Sequence, residues 1–359
     1  MPTLKRRHHT SSANTAEQLL SWYDRHRRDL PWRAKPGQAA DPYRVWVSEI
    51  MLQQTTVAAV AAYFEGFIRR WPDVTSLASA SLDDVLAQWA GLGYYARARN
   101  LHRGARFVAQ RFGGVMPERA DELIAIPGIG PYTANAIAAI AFGERVPAID
   151  TNAERVMARY LAFSRSLPGA RAQLAALVGE LVPHLRPGDF AQALMDLGSS
   201  ICVPEDPECT VCPLSLRCEA HRQNLTEILP RKEKKTPRRV MRALAFVAID
   251  NGGSVYLVRR PESGLFGGMM QPPLTPLQKN FPSARDALSE APFRGEWKLK
   301  RGVVRHTLTH MELEIRTYVA QFSARPNGEG IWLLPREFRS TALPTAMRKM
   351  LRHALTDEV

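Results

Sequence analysis

Cysteine is scarce in this chain. Four residues in 359, all between positions 202 and 218, leave the rest of the protein without a thiol. That excludes a disulfide framework spread across the fold, the device of small secreted scaffolds. Long apolar runs are also missing: no stretch approaches the roughly 18 residues of a membrane-spanning helix. The first residues, MPTLKRRHHTSSANTAEQLL, are basic but lack the apolar segment of a secretory signal. An intracellular, cytoplasmic protein with no membrane association is expected. Acidic residues are in deficit as well, with 35 Asp and Glu against 48 Lys and Arg, a net charge of +13. Such an excess favours an anionic partner, nucleic acid first and an anionic membrane surface second.

A length of 359 residues exceeds what one hydrophobic core usually supports, so two domains are expected. Residues 16–225 carry apolar positions at helical spacing, as in AEQLLSWYDRHRR and ARAQLAALVGELVPHL, punctuated by Gly and Pro. A basic linker follows over 226–241. Its core, RKEKKTPRRVMR, holds seven basic residues against one acid. Over 242–355 the pattern changes to β-rich runs, and RALAFVAID and SVYLVRR joined by Asn251-Gly252-Gly253 predict a β-hairpin. The expected fold is multidomain: an all-α part and a smaller α+β domain.

The cysteines are spaced Cys202-x6-Cys209-x2-Cys212-x5-Cys218. Four close thiols in an intracellular chain argue for metal, and chemistry alone leaves a structural zinc and an iron–sulfur cluster in competition. This spacing after a helical domain resembles the iron–sulfur loop of the endonuclease III and MutY DNA glycosylase superfamily, which implies that the four cysteines hold a [4Fe–4S] cluster. The intervening VPEDPE carries Glu205, Asp206 and Glu208 where relatives are usually basic, so no DNA contact is assigned to it.

Two further segments carry the resemblance. LIAIPGIGPYTANAIAAIAFG, residues 123–143, reads as helix, tight turn, helix, with Gly128 and Gly130 in the turn and Pro131 opening the second helix. Backbone N–H groups there suit a phosphate, although a plain packing turn would read the same. Followed by PAIDTN, it resembles the helix-hairpin-helix with Gly/Pro-Asp motif of DNA glycosylases. In DPYRVWVSEIMLQQTT, Glu49 sits among apolar neighbours, either on a wet helix face or desolvated with a raised pKa. The stretch LPWR…DPYRVWVSEIMLQQT resembles the MutY adenine glycosylase signature. By that resemblance Glu49 is the general acid/base, and Asp150 with Asn152 stabilises an oxocarbenium-like sugar, although Asp150 also reads as a helix N-cap and Thr151-x-x-Glu154 as a capping box. Thr151 stands where relatives usually have Gly. Tyr132 occupies the position where strand-cleaving relatives place a Schiff-base lysine, so base removal without lyase activity is expected. Arg33 is placed near the adenine pocket. Gln53, Gln54 and Tyr94 are placed against the DNA stack, with Tyr94 in helix core as the plainer reading. Arg97, Arg99, Arg103 and Arg106 read as a basic run or simply a solvated face.

Residues 240–355 resemble the MutT-like domain that follows the glycosylase domain in the same family. The metal-binding Nudix box G-x5-E-x7-R-E-x2-E-E is absent, so no pyrophosphatase activity is expected. Leu308, Thr309 and His310 match the Phe-Ser-His loop with which the family reads 8-oxoguanine. Leu308 reads alternatively as strand core. The expectation is a monomeric, nucleoid-associated enzyme that flips adenine from A:8-oxoG or A:G mispairs in double-stranded DNA and leaves an abasic site. Its rivals are a thymine or pyrimidine glycosylase, a non-catalytic lesion binder and a Nudix hydrolase.

Overall fold

The computed structural model describes residues 9–231, 233, 237–262, 264–308, 311–339 and 341–356, with side chains from Asn14 onward. The chain forms two compact units, residues 1–79 with 100–234 and residues 80–99 with 235–359. In chain order the helices begin with α1 (His9–His26), α2 (Pro42–Leu52), α3 (Val57–Arg70), α4 (Val74–Ser79), α5 (Leu82–Gln88) and α6 (Ala96–Phe112). They continue with α7 (Ala120–Leu123), α8 (Pro131–Phe142), α9 (Thr151–Tyr160), α10 (Arg171–Leu181), α11 (Pro187–Ser200) and α12 (Glu219–Arg222). Among the described residues no helix is long and apolar enough to cross a membrane.

In the first unit α1, α9, α10 and α11 share one core, built from side chains such as Leu19, Tyr23, Met157, Leu174, Phe190 and Leu197. Glycine permits two close helix contacts here. A Cβ on Gly198 of α11 would lie 2.7 Å from the Asn152 Cβ, and one on Gly104 of α6 would lie 2.8 Å from the Pro127 carbonyl. These small residues let α11 press against the start of α9, and α6 against the turn before α8. That turn differs from the sequence expectation. Its first helix, α7, is a single turn, because Pro127 disfavours helix in the residue before it.

The second unit is a mixed sheet. Strands β1 (Arg239–Asp250), β2 (Val255–Arg259), β3 (Met270–Gln271) and β4 (Lys298–Leu299) precede β5 (Val304–Thr307), β6 (Met311–Phe322) and β7 (Ile331–Leu333). The order is β3-β2-β1-β6-β4, with β5 on β6 and β7 on β2. β1 and β6 run parallel in register from Arg239↔Met311 to Asp250↔Phe322, and β1 turns back into β2 antiparallel with Ile249 opposite Val255. The predicted hairpin is therefore present, with Gly253 at φ +76° in its turn. The basic stretch is not linker throughout, since β1 already begins at Arg239. Alternation along β1 sends Ala245, Val247 and Ile249 to one face and Leu244 and Phe246 to the other. Helix α14 (Thr345–Leu355) covers the first face through Met347, Met350 and Leu351. The short α13 (Ala284–Ser289), with Trp297 and Phe281, covers the second.

Candidate active site

Helix α2 is held by its cap and by burial. Asp41 accepts from the Tyr43 and Arg44 N–H groups at 2.8 and 3.3 Å, and Pro42 occupies the first turn. Residues Val45 to Met51 are all buried, so the helix has no wet face in that stretch and Glu49 is taken inside, 8% exposed. The wet-face alternative for Glu49 is thereby removed. Tyr132, the second residue of α8, donates its hydroxyl to Glu49 Oε2 at 2.7 Å. Burial lifts the Glu49 carboxyl from an ordinary 4.5 to about 7; the Tyr132 hydrogen bond lowers it, the Asp150 charge raises it and the Arg33 cation lowers it. Burial also pushes the Tyr132 phenol well above its usual range, so it serves as a donor.

Asp150 is the N-cap of α9. Its Oδ1 accepts from Ala153 N at 2.7 Å and its Oδ2 from Asn152 Nδ2 at 3.2 Å. The capping box expected on Thr151 does not form. Thr151 is already helical, and Glu154 is engaged by Arg171 at 2.5 Å. Burial raises the Asp150 pKa, and the Ala153 and Asn152 hydrogen bonds with the Arg155 charge oppose it. Asn152 Oδ1 in turn accepts from Arg155 at 3.0 Å, whose guanidinium also bonds the Cys202 and Gly198 carbonyls.

These groups open onto one cleft of about 1170 Å³. Of the residues singled out in the sequence, it brings together Arg33, Glu49, Gln53, Gln54, Gly128, Gly130, Tyr132, Asp150 and Asn152. The two turn glycines differ in kind. Gly128 has φ +86°, and a Cβ there would lie 2.6 Å from the Asn100 Cβ. Gly130 is extended with open space beside it, so the fold does not require its glycine, contrary to the expectation that both permit the turn. Gln54, at φ 57°, is in the left-handed region that few non-glycine residues occupy.

Sequence reasoning missed Arg28, Gln192 and Asp196. Arg28 and Gln192 line the cleft. Asp196, 1% exposed on α11, accepts from Arg33 Nη1 and Nη2 at 2.6 and 2.9 Å and from Arg28 Nε at 2.5 Å. The signal available was one acid, Asp196, inside the run FAQALMDLG. Burial acts against the Arg33 charge, but its hydrogen bonds to Asp196 together with the Asp196, Tyr23 and Glu49 charges raise its pKa.

Tyr94 lies in the second unit. It is 45% exposed at φ 46°, with the Arg97 guanidinium 5.5 Å from its ring centroid, so it is not helix core. Nor is the arginine run uniformly solvated: Arg97 is buried and Arg99 reaches the Gly267 carbonyl, whereas Arg103 and Arg106 are exposed. Leu308 is half-buried at the turn from β5 to β6, its N–H on the Met311 carbonyl at 2.8 Å, so it is not strand core. Thr309 and His310 lie outside the described residues.

The four cysteines are half-buried and line one small, almost wholly apolar pocket with Val156, Tyr160 and Leu214. Arg159 of α9, 2% exposed, places its guanidinium against the Cys202 sulphur at 3.4 Å and the Val203, Pro204 and Leu229 carbonyls. Among the described residues no three His, Cys, Asp or Glu side chains close on a single ion position.

The chain matches the family model described as HhH-GPD superfamily base excision DNA repair protein over residues 47–180, and a NUDIX domain over residues 244–353. It is 36% identical to the adenine DNA glycosylase of Homo sapiens, over 93% of this chain and 72% of that one. It is 32% identical to the adenine DNA glycosylase of Buchnera aphidicola subsp. Acyrthosiphon pisum, over 93% of this chain and 96% of that one. A solved thermostable thymine-DNA glycosylase aligns with 60% of this chain and 98% of its own, at 29% identity and a TM-score of 0.54. With a helical HhH-GPD domain, a Nudix-like α+β domain and relatives of one name matched over 93% of this chain, the chain belongs to the adenine DNA glycosylase family, the DNA N-glycosylases of base excision repair.

Proposed function

We propose that this enzyme removes adenine paired with 8-oxoguanine or guanine in double-stranded DNA in the cytoplasm, and leaves an abasic site. The observation that carries the chemistry is the pair of carboxyls in one cleft, one poised to hold a proton and one surrounded by donors. Glu49, near 7, is available in its protonated form at neutral pH, and Tyr132 on Oε2 leaves Oε1 for the base. Its proton passes to a ring nitrogen of the flipped adenine, the bond from base to sugar C1′ breaks, and positive charge develops on the sugar. Asp150 faces that charge, and the Ala153 N–H and Asn152 bond its charged form against a burial that raises its pKa. Water then adds to C1′ and returns a proton to Glu49. No lysine stands at the Tyr132 position, so no Schiff base forms there and the strand stays intact until alkali is added.

Gly128 and Gly130 would present backbone N–H groups to a phosphate, and Gln53, Gln54 and Tyr94 would enter the opened stack. The left-handed backbone at Gln54 and Tyr94 supports this, since such conformations gather at functional positions. Leu308, Thr309 and His310 are assigned to the 8-oxoguanine strand. Cys202, Cys209, Cys212 and Cys218 would hold a [4Fe–4S] cluster. Four thiols around an almost wholly apolar pocket, with a buried cation on Cys202, support that reading. When bound, the cluster ties the chain after α11 to the start of the linker.

The test is Glu49→Gln. Base release from an A:8-oxoG duplex should fall about 10²–10⁴-fold, with binding to the same duplex retained. A variant that still releases adenine at the parental rate would remove Glu49 from the mechanism.

A further inference from the structure

Asp196 is the buried charge that the mechanism above leaves unused. Its side chain is 2% exposed and takes four hydrogen bonds: from Arg28 N at 3.2 Å, Arg28 Nε at 2.5 Å, and Arg33 Nη1 and Nη2 at 2.6 and 2.9 Å. The two arginines are not equivalent. Arg33 is 5% exposed, gripped in a two-pronged pair and backed by the buried Tyr23 ring 5.9 Å from its guanidinium carbon. Arg28 is 34% exposed, bonds Asp196 through Nε, and lines the cleft that holds Glu49. A buried ion pair is a weak source of stability, because apolar groups of the same volume often do as well. Its place in the cleft wall therefore points to function.

We propose that Asp196 is a positioning residue for base excision, fixing Arg28 and Arg33 as paired donors in the cleft wall so that a base presenting ring-nitrogen acceptors is seated beside Glu49. The proposal deepens the adenine-excision reading and rests on it. An arginine donates and never accepts, so a wall of two arginines selects an acceptor-bearing edge, which adenine offers at several ring nitrogens. One carboxylate between two guanidinium groups also leaves one positive charge at the wall. The groups facing Glu49 are Tyr132 from α8, Asp150 at the cap of α9 and Arg33 from the loop before α2. Loss of the Asp196 charge would leave the Arg33 cation unbalanced and favour the ionised form of Glu49.

The test is Asp196→Asn, read by single-turnover adenine release across pH and by binding to a duplex carrying a tetrahydrofuran abasic-site analogue. The rate should fall at least tenfold, binding should stay within about twofold, and the limb where rate falls with rising pH should move to lower pH. Asp196→Glu keeps the charge and should recover most of the rate. Should Asp196→Asn not fold, Arg28→Gln at the half-exposed partner should lose about tenfold in rate with analogue binding kept. An unmoved pH limb in Asp196→Asn, or a parental rate in Arg28→Gln, overturns the proposal and leaves Asp196 a packing residue. Wild-type enzyme separates the two levels. Adenine release by wild type with an unmoved limb rejects the clamp alone; no adenine release by wild type rejects the underlying reading and the clamp with it.

Discussion

Glu49 and Asp150 are both acids beside one cleft, and their surroundings set them apart. Glu49 is enclosed by the buried stretch Val45–Met51 and has one hydroxyl on it, so burial dominates. Asp150 is also raised by burial, but it caps a helix and receives an amide and a side-chain N–H, which oppose that rise. If the protonated Glu49 is the reactive form, the single-turnover rate should be flat below pH ~6 and fall tenfold per pH unit well above about 7. Tyr132→Phe removes the hydrogen bond that lowers this pKa, so the limb should move to higher pH. A limb that stays in place in a pH series on both proteins contradicts that assignment. The same burial acts on stability. A carboxyl raised from 4.5 to about 7 contributes stability that is full below pH 4.5 and lost as pH rises through 7, on the order of 3 kcal/mol. Glu49→Gln should therefore melt at a higher temperature than the parent at pH 8 and within a degree or so of it at pH 4.5, by calorimetry at both. The sequence carried the apolar setting of Glu49 and the capping chemistry of Asp150, both local. It did not carry the Asp196 clamp, whose bonds to Arg28 and Arg33 span 168 and 163 positions.

At the scale of elements, the turn before α8 carries helix packing and the proposed phosphate contact. Gly128 is doubly constrained by its positive φ and by Asn100, whereas Gly130 is extended and a Cβ there would meet nothing within 4 Å. Gly128→Ala should destabilise the helical domain by about 1–3 kcal/mol in denaturant unfolding. Gly130→Ala should leave that stability unchanged and weaken binding uniformly across DNA sequences, as loss of a phosphate contact does. Equal midpoints for the two variants would show that the turn does not depend on Gly128. The hairpin was legible because Gly, Pro and their spacing act locally. Two details escaped: α7 ends after a single turn before Pro127, and Arg97 is held off the surface by the Leu92 and Gly93 carbonyls and the Trp89 and Tyr94 rings, a loop conformation that helical spacing does not foretell. In β1 the apolar run RALAFVAID was readable as strand, but the parallel pairing with β6 lies more than sixty residues away and has no local cue.

At the scale of the whole molecule, charge, cysteine spacing and motif order converge on one chemistry. The +13 charge favours phosphate without sequence preference, and the cleft holds the carboxyls proposed for the reaction. The cysteine loop meets the active-site helix through Arg155 and Arg159, which stand one turn apart on α9 and both reach the segment beginning at Cys202. Anaerobically purified protein should contain about four irons per chain, the number in the proposed cluster. Cys209→Ser should lower both the iron content and the melting temperature; zinc in place of iron in elemental analysis would reassign the site. The measurement that tests the central claim most directly is single-turnover base release from duplexes with A:8-oxoG, A:G, A:C and T:G, each with and without alkali. The account predicts alkali-dependent breaks at adenine, fastest opposite 8-oxoguanine. Release of thymine, or breaks without alkali, would contradict it.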